Sequence, residues 1–292
     1  VTGVHFTKME GLGNNYIYIN MWEERVAESA LPSLACAVAD VSRGIGSDGL
    51  ITIGPPTHDG IADARMRIFN ADGSEGQNCG NGLRCVGKYL YERGIVQKTE
   101  LTVETRGGIM RLALHLAGDG ATVERVTVDM GLPGLRRRDL PVHGGDADGT
   151  ALADTVELGD ERYVFAGVSM GNPHAVIFVE DVATIDVARV GPLIERHPLF
   201  PERVNVEFVA VQSPEDLDFR VWERGSGITQ ACGTGACAAV VAAALTGRLE
   251  RGRQITVHLP GGDLEIVYAH DGHVYMTGEA AFVCEGEWLR PL

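Results

Sequence analysis

Two stretches of this 292-residue chain, lying about half its length apart, repeat one order of residues, and that repetition constrains the fold more than any other feature. The first runs from Asn70 to Leu90 as N-A-D-G-S-E-G-Q-N-C-G-N-G-L-R-C-V-G-K-Y-L. The second runs from Phe219 to Leu245 as F-R-V-W-E-R-G-S-G-I-T-Q-A-C-G-T-G-A-C-A-A-V-V-A-A-A-L. Cys79 precedes Gly80-Asn81-Gly82, and Cys232 precedes Gly233-Thr234-Gly235. Gln77 and Gln230 each stand two residues before their cysteine. Asn70 and Glu223 each stand nine before it, directly after the aromatics Phe69 and Trp222. A unit written twice implies two halves built alike, each with the same group at the same place.

Within each copy the pattern reads as a strand, a polar turn and a helix. The first strand ends near Asn70, Ala71-Asp72-Gly73-Ser74 turns, and a helix begins close to Cys79. A thiol at a helix start faces unpaired backbone N–H groups and the positive end of the helix dipole. That setting is expected to lower its pKa. The adjacent glycines let backbone approach a small anion. On one copy alone a buried structural cysteine explains the residues equally well; two matched copies favour a pair of facing half-sites.

The composition narrows the partners. A formal charge of −15 is wrong for nucleic acid or for an anionic membrane surface. No apolar run approaches the roughly 20 residues of a membrane span, and the opening Val1-Thr2-Gly3-Val4-His5 lacks a signal pattern. The six cysteines (36, 79, 85, 232, 237 and 284) form no disulfide framework in a chain of this size, and a reducing cytoplasm is the expected compartment. Neither close C-x-x-C nor H-x-x-x-H spacing occurs, so no metal site is indicated.

Read in order, His5 to Met9 and Tyr16 to Ile19 are strands around the loop Gly11-Leu12-Gly13-Asn14-Asn15. Ser33 to Ser42 reads as a helix with Cys36 on its core face. Gly44-Ile45-Gly46-Ser47-Asp48-Gly49 matches a dinucleotide-binding glycine pattern by spacing, but it follows a helix and precedes a strand. A phosphate would then meet no helix N-terminus, so a helix cap and a turn are the expected uses. Further strands are expected at 65–69, 101–105, 109–114 and 125–130, with a boundary at Gly131-Leu132-Pro133-Gly134. Arg136-Arg137-Arg138 reads as a solvated face. In the second half, 162–168 and 175–179 flank Ser169-Met170-Gly171-Asn172-Pro173-His174 much as the opening strands flank their loop. Asn205 falls within a strand, the helix 235–245 is apolar all round and hence buried, and strands at 254–259, 264–268 and 274–276 follow. Cys85 and Cys237 are expected to be structural.

The motifs K-M-x-G-L-G-N, R-x-F-N-x-D-G-S-E, C-G-N-G-x-R-C, V-S-M-G-N-P-H, F-P-E-R-V-N, E-R-G-x-G and T-Q-A-C-G-x-G-A-C lie in order along the whole chain. Together they resemble the diaminopimelate epimerase family. The resemblance implies an α/β (α+β) fold of two pseudo-symmetric domains, each a curled, mostly antiparallel sheet wrapped around a central helix, with substrate held at their interface. It divides the chain into residues 1–130 plus 277–292, carrying Cys79, and residues 131–276, carrying Cys232. It implies cofactor-independent inversion of one α-carbon, LL- to meso-diaminopimelate, in the synthesis of lysine and of cell-wall precursor.

Inversion removes a proton from one face of a carbon and returns one to the other, which calls for a thiolate and a thiol. By resemblance Cys79 is the proton donor and Cys232 the acceptor. The carbanion's charge falls on the α-carboxylate, and the N–H groups of Gly80-Asn81 and Gly233-Thr234 are suited to meet it. The implied substrate positions are Asn14, Asn70, Asn172, Asn205, Glu223 and Arg224, with Arg224 on the distal carboxylate and Glu223 on the distal ammonium. His174 and Glu223 are the implied modulators of the cysteine pKa values, although a lone histidine is more often a satisfied core residue. The implied cofactor is none; the partner expected is diaminopimelate itself, with no nucleic acid, no membrane, and a homodimer. Asn15 stands where many members have Asp, and Gly49 where some have a substrate-contacting Gln.

Three other readings compete. A proline or hydroxyproline racemase would use two cysteines without needing the Glu223-Arg224 pair. A thiol–disulfide redox protein would more naturally carry C-x-x-C. A silent binder on the same fold would have little use for both cysteines.

Overall fold

The computed structural model describes residues 3–77 and 79–290, and its chain forms two compact units. Unit 1 comprises 1–128 and 277–292, and unit 2 comprises 129–276. Asn78, beside the first cysteine, lies outside the described residues.

Unit 1 opens with β1 (Val4–Gly11) and β2 (Asn14–Asn20), an antiparallel hairpin turning on Leu12 and Gly13. Both turn residues have positive φ, 57° and 83°, and the Glu10 carboxylate accepts from the Gly13 N–H. Helix α1 (Leu31–Ala39) then returns the chain to β3 (Gly49–Gly54), parallel to β2, and β4 (Ala64–Asn70) runs antiparallel to β3. After the turn comes α2 (Gly80–Glu92), then β5 (Glu100–Thr105) parallel to β4. The antiparallel strands β6 (Gly108–Leu116) and β7 (Val123–Asp129) complete the run.

Unit 2 repeats this plan. β8 (Asp154–Leu158) pairs with β9 (Glu161–Ser169), which forms a hairpin with β10 (Pro173–Phe178). Helix α3 (Val187–Glu195) leads to β11 (Asn205–Ser213), parallel to β10, and β12 (Asp216–Glu223) is antiparallel to β11. The short β13 (Gly227–Ile228) folds back on the end of β12. Helix α4 (Gly233–Leu245) leads to β14 (Gln254–Leu259), parallel to β12, and β15 (Gly262–Tyr268) returns antiparallel. β16 (Val274–Gly278) spans the unit boundary, and β17 (Ala281–Trp288) pairs with β1. The sequence of hairpin, helix, parallel strand, antiparallel strand, cysteine helix and parallel strand is thus the same in both units.

The two cysteine helices are held differently. Around α2, Leu83, Cys85, Val86 and Leu90 are fully buried, yet so are the heads of Arg84 and Lys88. Lys88 Nζ donates to Glu92 and to the Val123 carbonyl, each at 2.7 Å. Helix α4 has no charged residue, and nearly every side chain from Ala236 to Ala243 is buried. Five alanines in that span let it sit close to the enclosing strands.

Four local expectations need correction. Helix α1 starts at Leu31 with Pro32 in its first turn, not at Ser33, and buries Leu31, Leu34, Ala35 and Val38. In that frame Cys36 falls off the apolar stripe and is exposed, not on the core face. Helix α4 begins at Gly233, two residues before Gly235. Arg137 is not simply solvated: it is half-buried and donates to Asp154 at 2.5 Å.

Candidate active site

Cys79 and Cys232 occupy equivalent positions as N-caps of α2 and α4. Each has extended backbone, and each Sγ accepts from the amide N–H three residues on, Gly82 or Gly235, at 3.4 Å. A thiol here takes the place usually held by a Ser or Asp oxygen.

The Cys79 end is built from neutral amides over a buried cation. Cys79 Sγ donates to Asn14 Oδ1 at 3.6 Å, and Asn81 Nδ2 donates to the same oxygen at 3.3 Å. The Asn14 amide nitrogen donates in turn to Asp48 at 2.8 Å. Asn81 is held by the fully buried Arg84, whose Nη1 donates to Asn81 Oδ1 at 2.8 Å and whose Nε donates to the Glu279 carbonyl at 3.0 Å. Asn70, exposed at the end of β4, donates to Ser74 Oγ at 3.0 Å. Opposite it in the register is Gly49, with φ 153°, where a Cβ would collide with the Phe69 carbonyl. A side chain at 49 therefore does not fit this backbone.

The Cys232 end is acidic and enclosed. Cys232 is buried, and burial raises its thiol well above the ordinary range, with the Glu223 and Glu207 carboxylates raising it further. The lowering expected for a helix start is outweighed: the Gly235 N–H and Thr234 hydroxyl favour the thiolate, but by less than burial opposes it. Glu223 is itself raised by burial; it accepts from the Thr229 hydroxyl, and the Cys232 thiol facing it holds its carboxyl down somewhat. Arg224, the next residue, points to the surface, with Nη1 donating to the Glu202 carbonyl at 3.1 Å. Asn205, buried, donates to the Pro173 carbonyl at 2.8 Å and accepts from the Arg224 N–H at 2.9 Å, so it braces the strand ends that carry Glu223 and Arg224.

Asn172 and His174 flank Pro173 on β10. Asn172 Nδ2 donates to Thr234 Oγ1 at 3.3 Å, and Thr234 Oγ1 lies 3.7 Å from Cys232 Sγ. His174 is fully buried, with Nε2 3.0 Å from Asn172 Oδ1 and Nδ1 2.6 Å from Glu207 Oε1. Two residues here escaped the sequence reading, Asp48 and Glu207. Glu207 had a signal: it follows Asn205 by two, on the same face of β11, as the single charge in an apolar run. Cys85 and Cys237 sit fully in the core, and burial pushes the Cys85 thiol up to about 12. Among the described residues no three His, Cys, Asp or Glu side chains cluster as metal ligands, and no helix is long and apolar enough to cross a membrane.

Solved structures share this architecture. A probable proline racemase from Agrobacterium radiobacter K84 superposes with a TM-score of 0.69 over 97% of this chain and 92% of its own, at 17% identity. A Bacillus anthracis protein of the PhzF phenazine-biosynthesis family does so at 0.70 over 99% and 100%, at 15% identity. At those identities the likeness establishes the fold alone.

The family follows from sequence. The diaminopimelate epimerase family profile matches residues 6–135 and 166–283. Diaminopimelate epimerase from Geobacillus kaustophilus is 54% identical over 281 residues, covering 96% of this chain and 95% of its own. That from Bacillus cereus is 50% identical over 281 residues, 96% of each chain. This chain belongs to the diaminopimelate epimerase family.

Proposed function

We propose that this protein is an isomerase that inverts one α-carbon of LL-2,6-diaminopimelate to give the meso isomer, with Cys79 and Cys232 as its two bases. The observation that carries this is the pair of matched N-cap thiols in a chain half identical to diaminopimelate epimerases along nearly its whole length.

In the LL-to-meso direction the Cys232 thiolate takes the α-proton. The C–H electron pair moves into the α-carboxylate, where the free N–H groups of the helix starts, at Gly80-Asn81 and Gly233-Thr234, meet the new charge. The Cys79 thiol delivers its proton to the opposite face. Cys232 ends as thiol and Cys79 as thiolate, and the reverse reaction exchanges the roles. An ammonium pairing with Glu223 would cancel one of the carboxylate charges that hold Cys232 in its thiol form, so substrate itself helps make the base. Arg224 takes the distal carboxylate as a planar fork, while Asn14, Asn70, Asn172 and Asn205 orient the substrate or its partners. The two units act as the two half-domains, in a cytoplasmic homodimer that takes no cofactor and binds no nucleic acid.

The test is α-proton exchange in deuterated water with LL- and meso-diaminopimelate, lysine, alanine and proline. The expected result is exchange on both diaminopimelates and little on the others, because a substrate without the distal amino-acid group leaves Arg224 and Glu223 unpartnered, at about 1–3 kcal/mol for each group. Comparable exchange on proline would replace this reading with a proline-type racemase.

A further inference from the structure

Glu207 has no place in the chemistry above, yet it is among the most enclosed charged groups in the molecule. Its side chain and that of His174 are both fully buried, 2.6 Å apart, with no second carboxylate oxygen contact: Oε2 has no hydrogen-bond partner among the described residues. It also lies against the cysteine. A Cβ on Gly235 would come within 2.9 Å of Glu207 Oε1 and 3.1 Å of Cys232 Sγ, so the two groups flank one glycine. The other titratable groups facing the pair are Glu223, from β12, and Cys232, at the start of α4.

The hydrogen bonds fix a direction. Asn172 Nδ2 donates to Thr234 Oγ1, so Asn172 Oδ1 is the atom turned to His174 Nε2, and that nitrogen must carry the proton. Thr234, already accepting from Asn172, has its own O–H left for Cys232 Sγ at 3.7 Å. With Nε2–H in place, the 2.6 Å contact between Nδ1 and Glu207 Oε1 needs one proton of its own, on either atom. The pair then carries no net charge, which is what full burial favours. Loss of that proton would leave Nδ1–H facing a carboxylate and Nε2 bare. Asn172 would turn its NH₂ to Nε2, Thr234 would donate to Asn172, and a lone pair, not a hydrogen, would face the sulfur.

We propose that Glu207 is a positioning residue for Cys232: by sharing one proton with His174 it sets the polarity of the chain His174–Asn172–Thr234, so that the threonine hydroxyl donates to the cysteine sulfur. This rests on the role of Cys232 as a base. Burial raises Glu207 above the ordinary carboxylate range, in keeping with a shared proton.

The test uses the full chain. In protein labelled with ¹⁵N-histidine, the Nε2 of His174 carries a proton at neutral pH, the tautomer that the Asn172 contact requires. Turnover of LL-diaminopimelate by Glu207→Gln, whose amide N–H can still donate to Nδ1, falls less than about tenfold in kcat. Glu207→Leu, which fills the space without a hydrogen bond, falls more than about a hundredfold, with KM within about threefold in both. A bare Nε2 at neutral pH overturns the proposal. So does a Leu variant that keeps a third of wild-type kcat, or a Gln variant as damaged as Leu. The magnetic resonance result needs no turnover: if the wild type fails to exchange diaminopimelate, the functional reading falls and the claim about Glu207 is still decided. If the Leu variant does not fold, the histidine spectra and the Gln variant decide it.

Discussion

The starts of α2 and α4 share a sequence code and a backbone geometry, but they create different environments for the same atom. Both thiols accept one helical N–H at 3.4 Å. Around Cys79 the next groups are amides, Asn14 and Asn81, backed by the buried guanidinium of Arg84. Around Cys232 they are carboxylates, Glu223 and Glu207, inside a largely closed space. The helix start supplies the same modest stabilisation of a thiolate to both; its surroundings decide whether that prevails. Duplication can therefore fix the positions of two matched thiols while differing residues, Asn70 against Glu223 or Gly49 against Asn205, make their surroundings unlike.

The sharpest way to break the comparison is to remove either sulfur. Cys79→Ala and Cys232→Ala should each lose at least about a thousandfold in epimerisation, within the range of acid–base groups acting in series. A Cys232→Ala enzyme running near the wild-type rate would end the assignment of paired bases. Arg224→Lys should lose about a hundredfold in kcat/KM on diaminopimelate, since an ammonium cannot reproduce the fork; an unimpaired variant would show that Arg224 does not hold the distal carboxylate.

The asymmetry itself can be measured by alkylating each thiol with iodoacetamide as a function of pH and reading each site by mass spectrometry. Glu223→Gln removes a carboxylate that, after burial, raises Cys232, so the Cys232 midpoint should fall, and by more than any change at Cys79. Equal shifts at both would mean that the carboxylate acts on the whole protein rather than on its neighbour.

Much of this was legible in the sequence. The helix start at Cys79 was, because it is a local event written by Cys-Gly-x-Gly; the matching start at Cys232 was placed two residues late, at Gly235 instead of Gly233. The burial of α4 was also legible, since Ala-Ala-Val-Val-Ala-Ala-Ala leaves no polar face. Cys36 was misplaced because the buried stripe of α1 runs through Leu31, Leu34, Ala35 and Val38, and position 36 falls outside it. The raised Cys232 thiol was not readable, because it comes first from burial of the sulfur and then from Glu223 and Glu207, which reach it from separate strands, all of it tertiary. Nor was the bracing role of Asn205, whose partners Pro173 and Arg224 lie 32 and 19 residues away.

Smaller effects belong to the second cysteine of each repeat. Cys85 has its folded pKa raised from the ordinary 9.0 to about 12. Its contribution to stability is therefore whole below about pH 9 and is lost as the pH rises towards 12. Denaturant midpoints should fall across that window in the wild type, and less steeply in Cys85→Ala. At neutral pH Cys85→Ala and Cys237→Ala should each cost about 1–2 kcal/mol of stability and leave turnover in the folded fraction intact. Loss of chemistry with stability retained would place those thiols in the reaction.

The most direct measurement is the fate of hydrogen during the first turnovers of LL-diaminopimelate in deuterated water. Two thiols acting on opposite faces predict that newly formed meso product carries deuterium at the inverted carbon while the recovered LL substrate remains almost wholly protiated. Product that keeps the substrate's own hydrogen, or substrate that gains deuterium as fast as product forms, would mean that a single base serves both faces and would contradict the paired-cysteine mechanism.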